Sequence, residues 1–426
     1  MADLIIRNAV LLDPAAPVRR RGELVIESGC IVAHEARGLT AQRELDAAGL
    51  LVVPGFVDPH VHLREPGKEA AETIATGTAA AAAGGYTSVA VMPNTTPPLD
   101  KAERVRWLMQ RASEVGAVRV WPVACITTRR AGKQIADLEA LAAAGAIAFS
   151  DDGSGVADPV LMREALERAR DLGRPVLSHC EEPTLSRDGV MHEGAVAAAL
   201  GLPGMPAAAE EVMAARDISL ARLSGARLHL QHVSSAGTVE LIRTAKRAGV
   251  ALTAEVTPHH LCLTDEDARC GDTSFKMNPP LRTARDRDAL RAALADGTID
   301  CIATDHAPHT VEEKRQDFRQ APFGCIGLES AFAVLWTELV LSGIIAQERL
   351  IAALTQAPAQ VLGLPFGTLG IGAAADVTLI DPNYHWRIEP ERFRSRARNC
   401  PFAGWRVTGK VVATIVGGMI RFEEGR

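Results

Sequence analysis

The chain has 426 residues, 47% of them hydrophobic and 23% charged, enough for one barrel-sized domain with a smaller one beside it. Its net charge of −6, with no Lys/Arg run longer than Arg19-Arg20-Arg21, argues against nucleic acid or an anionic membrane as partner. No uninterrupted apolar stretch reaches about 20 residues, residues 1–7 lack the marks of a signal peptide, and eight scattered cysteines without a CxxC pair read as free thiols in a reduced cytoplasm.

In chain order, residues 3–47 give short alternating strands with turns. The apolar run from Leu50 to Val53 then leads into a strand expected over 50–62, which ends on His60 and His62. Residues i and i+2 of a strand share a face about 7 Å apart, so two imidazoles there can grip one cation. Arg64, two residues on, is read on the same face, offering a guanidinium fork to a carboxylate.

A unit of helix-like segment, glycine, short apolar strand and polar residue then recurs. Gly84-Gly85 precede a strand at 86–92 that ends at Asn94, and Gly116 precedes one at 118–126. Gly145 precedes 146–149, ending at Asp151-Asp152; Gly173 precedes 175–178, ending at His179; Gly225 precedes 227–231, ending at His232. Gly249 precedes 250–256, ending at His259-His260, and Gly297 precedes 299–304, ending at Asp305. Glycine just past a helix adopts left-handed backbone cheaply, so each marks a helix-to-strand turn. Eight strands alternating with helices imply an α/β fold with a parallel sheet closed into a (β/α)8 TIM-like barrel, an open doubly wound sheet being the alternative. Residues 366–426 return to short strands, so a small β domain built from both chain ends, 1–50 and 366–426, is expected around a barrel at 51–365.

The strand-end inventory is His60, His62, Asp152, His179, His232 and Asp305. Nitrogen and carboxylate donors without thiolates suit Zn²⁺, or another borderline divalent ion, in an open catalytic site. Six donors exceed the needs of one tetrahedral ion, and a bridging carboxylate can hold two ions about 3.5–4 Å apart. Asp151 and Asp152 face opposite ways on a strand, so alternation alone leaves either as the inward one.

Through PGFVDPHVHLREPG (54–67), MPNTTPP (92–98), SDDG (150–153), SHCE (178–181), QHVSSAG (231–237), TPHHL (257–261), KMNPPLR (276–282) and TDHAPH (304–309), the chain resembles the dihydroorotases of the amidohydrolase superfamily. The likeness is to the bacterial type related to those that associate with aspartate carbamoyltransferase. The resemblance implies that His60, His62 and Asp305 bind a first metal ion and His179 and His232 a second, with Asp152, rather than Asp151, between them. It further implies that Arg64, Asn94 and His309 hold the substrate carboxylate and that Asn278 lines the pyrimidine ring. The implied reaction is the reversible cyclisation of N-carbamoyl-L-aspartate to L-dihydroorotate in pyrimidine (UMP) biosynthesis, through a metal-activated hydroxide with Asp305 as catalytic proton shuttle. One or two Zn²⁺ ions per chain, a small-molecule substrate, a homo-oligomer and a complex with aspartate carbamoyltransferase are expected on the same grounds.

Hydantoinases and allantoinases resemble this fold but bridge their metals with a carboxylated lysine from the fourth strand. This chain has no lysine between Lys133 and Lys246, which makes that reading secondary. A metal-free scaffold subunit is the other alternative, and such a chain would be expected to have lost ligands. Segments 257–282 and 310–326 read as loops, either one a candidate cover for the site, with plain surface connections as the alternative.

Overall fold

The computed structural model describes residues 1–16 and 20–424. Among them, eight strands build a barrel: β1 Phe56–Val61, β2 Tyr86–Val91, β3 Arg119–Ala124, β4 Ala148–Phe149, β5 Val176–Ser178, β6 Leu228–Leu230, β7 Leu252–Val256 and β8 Cys301–Ile302. Hydrogen-bonded neighbours follow chain order, and every pair is parallel. The ring closes where Val61 bridges His306 and the His62 N–H donates to the His306 carbonyl at 2.9 Å. Strands buried on both faces need apolar residues at nearly every position, which is why β1 and β2 are buried throughout. Parallel closure gathers all the strand carboxyl ends on one rim.

Met191–His192 and Gly204–Met205 pair as a small separate sheet, and the remaining described strands form a larger one from both chain ends. Ala2–Leu11, Arg20–Glu27, Cys30–Ala33, Ala41–Asp46 and Leu51–Pro54 join Val377–Arg387, Arg406–Val416 and Met419–Glu423. Arg119 on β3 ties this sheet to the barrel, its Nε and Nη2 each 3.0 Å from a different oxygen of Asp376.

The expected single strand over 50–62 is in fact two. Leu51–Pro54 pairs with Ala2–Leu11 and Val377–Arg387 in the terminal sheet, and only after Gly55 does β1 enter the barrel. Both halves are wholly buried, so hydrophobicity carries no mark of the break. Gly55 permits the crossing because a Cβ there would lie 2.2 Å from Thr87 Cγ2 on β2. Gly116 also departs from expectation. Its φ is −74°, and it is required for its size, since a Cβ would meet the Ala112 carbonyl at 2.5 Å.

The two expected loops carry short structure. Segment 257–282 contains a helical turn at Pro258–Cys262 and 3-10 turns at Asp265–Cys270 and Thr273–Phe275, while 310–326 opens with a one-turn helix, Val311–Lys314. None is long enough for its periodicity to be read from sequence. No helix among the described residues is long and apolar enough to cross a membrane.

Gly55→Ala is expected to overpack this crossing at a cost of about 1–3 kcal/mol. The loss reads as a lower denaturation midpoint and is largely recovered by adding Thr87→Ala. A neutral Gly55→Ala would contradict the close approach.

Candidate metal centre and substrate cavity

His60, on β1, is completely buried. Its Nδ1–H donates to Glu255 Oε1 on β7 at 2.8 Å, which leaves Nε2 as the free lone pair, 3.4 Å from Asp152 Oδ1 and 3.5 Å from Asp305 Oδ1. His62, just past the strand, donates Nδ1–H to the Asn94 amide oxygen at 2.8 Å. Its Nε2 lies 3.1 Å from Asp305 Oδ1 and 3.6 Å from Asp152 Oδ2. From the ends of β5 and β6, His179 Nδ1 and His232 Nε2 approach to 2.9 Å, each 3.6 Å from Asp152 Oδ1. One carboxylate thus reaches a nitrogen of all four histidines.

Asp151 is turned away. It accepts from the Ile126 and Thr127 amides at 2.9 and 3.1 Å and from the Thr127 hydroxyl. Three residues of this rim, Arg64, His232 and Asp305, hold φ of 62°, 33° and 46°. Left-handed backbone at non-glycine residues costs free energy and gathers at functional sites. For Arg64 it also means that strand alternation ends before this residue, and a turn rather than the strand face directs its side chain.

The charges balance locally. Burial would discharge His60, yet Asp152, Asp305 and Glu255 push its pKa well above the usual value, and against the same burial Asp152 and Glu181 carry His179 to about 9. Burial would likewise protonate the acids, but His60 and its neighbours hold Asp152 and Asp305 far down and Glu255 at about 2. His60 Nε2, Asp152 Oδ1 and His232 Nδ1 are buried without a hydrogen-bond partner. Such orphans cost about 1–3 kcal/mol each when left unpaired. Donor atoms of His60, His62 and Asp305 lie within 4.8 Å of one another, as do those of His60, Asp152 and His232. Converging imidazole nitrogens, anionic carboxylates and orphaned atoms together fit a divalent cation, which would take the place of the histidine protons. His229, Glu255 and Cys301 form a third close group beneath, but His229 is already bonded to Thr253 Oγ1 at 2.8 Å and to Glu255 Oε2 at 3.0 Å.

Every site residue read from the sequence except the buried His60 lines one cavity of about 180 Å³, together with Phe323 and Gly324. Both expected loops therefore reach it, one through Asn278 and the other through Phe323-Gly324. Arg64 Nε donates to the Pro308 carbonyl at 3.0 Å, and its Nη2 lies 3.3 Å from His309 Nε2. Burial lowers the Arg64 pKa to about 10, so the group stays charged at neutral pH. Burial and the neighbouring Arg64 pull His309 down to about 2, and the neutral ring donates Nε2–H to the Phe323 carbonyl at 2.7 Å. Asn94 faces the cavity, but its carbonyl serves His62 and its Nδ2 lies 3.5 Å from Asp152 Oδ2.

Two residues absent from the sequence reading are central. Glu255 takes the His60 and His229 N–H groups and the His232 backbone N–H. Its signal was a lone carboxylate in the buried strand LTAEV, where a charge must be paired. Glu181 Oε2 accepts from His179 Nε2 at 3.1 Å and from Asn278 Nδ2 at 2.6 Å, and despite burial His179 holds its pKa at about 2. His259 and His260, expected at the end of the seventh strand, do not line the cavity. His260 bonds to Thr257 Oγ1 at 2.8 Å and to the Pro279 carbonyl at 3.0 Å, while His259 Nδ1 lies 3.5 Å from Cys325 Sγ.

Residues 49–238 match the family model described as Dihydro-orotase-like. Over 422 residues, 99% of either chain, this sequence is 52% identical to the dihydroorotase of Pelotomaculum thermopropionicum. The chain belongs to the dihydroorotase family. The dihydroorotase of Anaeromyxobacter dehalogenans is 50% identical over 427 residues, 99% of this chain and 98% of that one. Among solved structures, the L-hydantoinase (dihydropyrimidinase) from Arthrobacter aurescens superposes with a TM-score of 0.91 at 27% identity, over 100% of this chain and 97% of that one. The family's expected barrel, with its small β domain drawn from both chain ends, is borne out.

Removing the carboxylate under His60 tests the tautomer argument. Glu255→Gln can present an N–H where His60 needs an acceptor, so affinity for a divalent ion should fall by roughly 10–100-fold. Metal content after dialysis against graded chelator reads this directly, and unchanged retention would contradict it.

Proposed function

We propose that the chain is a dihydroorotase, interconverting N-carbamoyl-L-aspartate and L-dihydroorotate in pyrimidine biosynthesis. Family membership supplies the reaction. The observation that carries it to this cavity is the charged Arg64 guanidinium in its wall. Dihydroorotate bears a ring carboxylate that this group would pair with, whereas a simple hydantoin would leave the charge without a partner. The likeness to hydantoinases is one of fold, and among the described residues no lysine lines the cavity.

The proposed holders of two Zn²⁺ ions are His60, His62 and Asp305 for one and His179 and His232 for the other, with Asp152 between. Ions held by these residues would supply Lewis-acid chemistry there, activating a water and polarising the scissile carbonyl. Arg64 clamps the ring carboxylate and thereby orients the ring. Asn278 has given its Nδ2–H to Glu181, so its Oδ1 remains as an acceptor for a substrate N–H. Asp305, kept anionic against burial by His60 and His62, takes the proton of the attacking water and passes it to the departing ring nitrogen. In closure it works in reverse. It removes a proton from the ureido nitrogen as that atom attacks the side-chain carboxyl carbon, and one water leaves.

The choice of zinc, a homo-oligomer and a complex with aspartate carbamoyltransferase belong to the same proposal and rest on the family resemblance, and a cytoplasmic location belongs to it on the strength of the free cysteines. The division into 1–50, 51–365 and 366–426 is supported by the sheet shared by the two chain ends, although Leu51–Pro54 lies in that sheet and not in the barrel.

The purified chain should hydrolyse dihydroorotate, lose that activity to chelator and regain it with Zn²⁺. A preference for uncharged hydantoins would replace this reading with the hydantoinase one. Asp305→Asn should lower kcat by about 10²–10⁴-fold in both directions. Near-normal turnover at verified metal content would assign the proton to another group. Arg64→Lys keeps the charge but loses the planar fork, so KM for dihydroorotate should rise roughly 10-fold or more. An unchanged KM would remove the carboxylate clamp.

A further inference from the structure

Lys314 is buried, although lysine is among the residues least often found inside a protein. It ends the one-turn helix Val311–Lys314, which Thr310 and Glu313 cap reciprocally: the Thr310 N–H donates to Glu313 Oε2 at 2.9 Å, and the Glu313 N–H to Thr310 Oγ1 at 3.2 Å. Among the described residues, no carboxylate forms an ion pair with its ammonium. The three N–H donors meet backbone carbonyls instead, those of Pro322 at 2.9 Å, Gly324 at 3.0 Å and Lys276 at 3.4 Å.

Those carbonyls belong to the two segments that contribute Asn278 and Phe323-Gly324 to the cavity wall. Phe323 and Gly324 line it, the Phe323 carbonyl holds His309, and Asn278 stands two residues beyond Lys276. Among the described residues, segment 315–325 meets a ladder only at its last residue, where Cys325 bridges His306 and accepts the Ala307 N–H at 2.8 Å. Before that residue its ties to the neighbouring segments include the Gly324 N–H to the Lys276 carbonyl at 2.9 Å, Asn399 Nδ2 to the Gly324 carbonyl at 3.0 Å, and Lys276 Nζ to the Arg319 carbonyl at 3.1 Å. Lys276 Nζ also lies over the Phe323 ring, 4.6 Å from its centroid.

We propose that Lys314 is a positioning residue for substrate binding, its ammonium fastening 322–324 to the segment that carries Asn278. Packing alone does not account for it, because an apolar side chain of similar volume would fill the space without the cost of burying a charge. The charge persists at neutral pH even though burial pushes its pKa down to about 8. What it supplies is a fixed position for three carbonyls. One flanking carbonyl keeps His309 beside Arg64, and the other segment holds Asn278 against Glu181. The inference rests on the dihydroorotase reading only in its choice of substrate.

The test compares Lys314→Met and Lys314→Arg in the full chain, at verified metal content and folded by circular dichroism. Lys314→Met should raise KM for dihydroorotate about 10-fold or more, with kcat within about 3-fold, and Lys314→Arg should recover most of the loss. A merely structural lysine would lower the melting temperature and leave KM alone. A folded, metal-loaded Lys314→Met with KM within about twofold of wild type would overturn the proposal, as would equal losses in the two variants. If Lys314→Met does not fold, Lys314→Gln is read the same way, and failure of both to fold assigns Lys314 to structure alone. Should the wild type act on hydantoin and not on dihydroorotate, the substrate reading falls, while the Lys314 proposal is judged on KM for hydantoin.

Discussion

Everything at the rim of this barrel is arranged around one carboxylate. Asp152 Oδ1 has imidazole nitrogens of His60, His179 and His232 at 3.4, 3.6 and 3.6 Å, and its second oxygen lies 3.6 Å from His62. An anion in that setting is tolerated inside a protein only with matching positive charge. Protons on the histidines can provide it, and so can a divalent cation, which would also engage the orphaned atoms of His60 and Asp152. Closure of the ring between Val61 and His306 is what brings the first and last strands, and with them His62 and Asp305, to the same point. Barrel topology is therefore a condition of the site and not merely its support.

Around the cluster lies a layer of acceptors that decides which ring nitrogen each histidine presents. Glu255 and the Asn94 carbonyl take Nδ1–H of His60 and His62, so both offer Nε2, while Glu181 takes Nε2–H of His179, which offers Nδ1. Fixing a tautomer in advance removes a choice the ligand would otherwise have to make on binding, and strengthens it as a donor. The same layer reaches the substrate side. Glu181 orients Asn278, and the Phe323 carbonyl orients His309. Metal side and substrate side of the cavity are thus joined through hydrogen bonds a single residue long.

Much of this was legible in the sequence because chemistry and topology coincide in a parallel barrel. Strands that ended in His or Asp marked both an element and a residue of the cluster, except the seventh, whose His259 and His260 do not line the cavity, and alternation brought His60 and His62 to one face. The rest was hidden for identifiable reasons. The break at Gly55 lies within a run that is apolar on both sides, since one half enters a sheet and the other a barrel. The position of Arg64 depends on left-handed backbone that no period of 2 foretells. Asp151 and Asp152 differ only in which one finds the Thr127 hydroxyl, a contact between two strand ends. Glu255 sits four residues before His259 of its own segment, and its role appears only when ring closure brings β1 and β7 to either side of β8.

Anomalous diffraction at the zinc edge from crystals grown with Zn²⁺ would test the central arrangement most directly. Two peaks about 3.5–4 Å apart are expected, with the Asp152 carboxylate between them and the four histidines divided on either side. A single peak with Asp152 outside its coordination shell, or zinc bound away from the strand-end cluster, would contradict it.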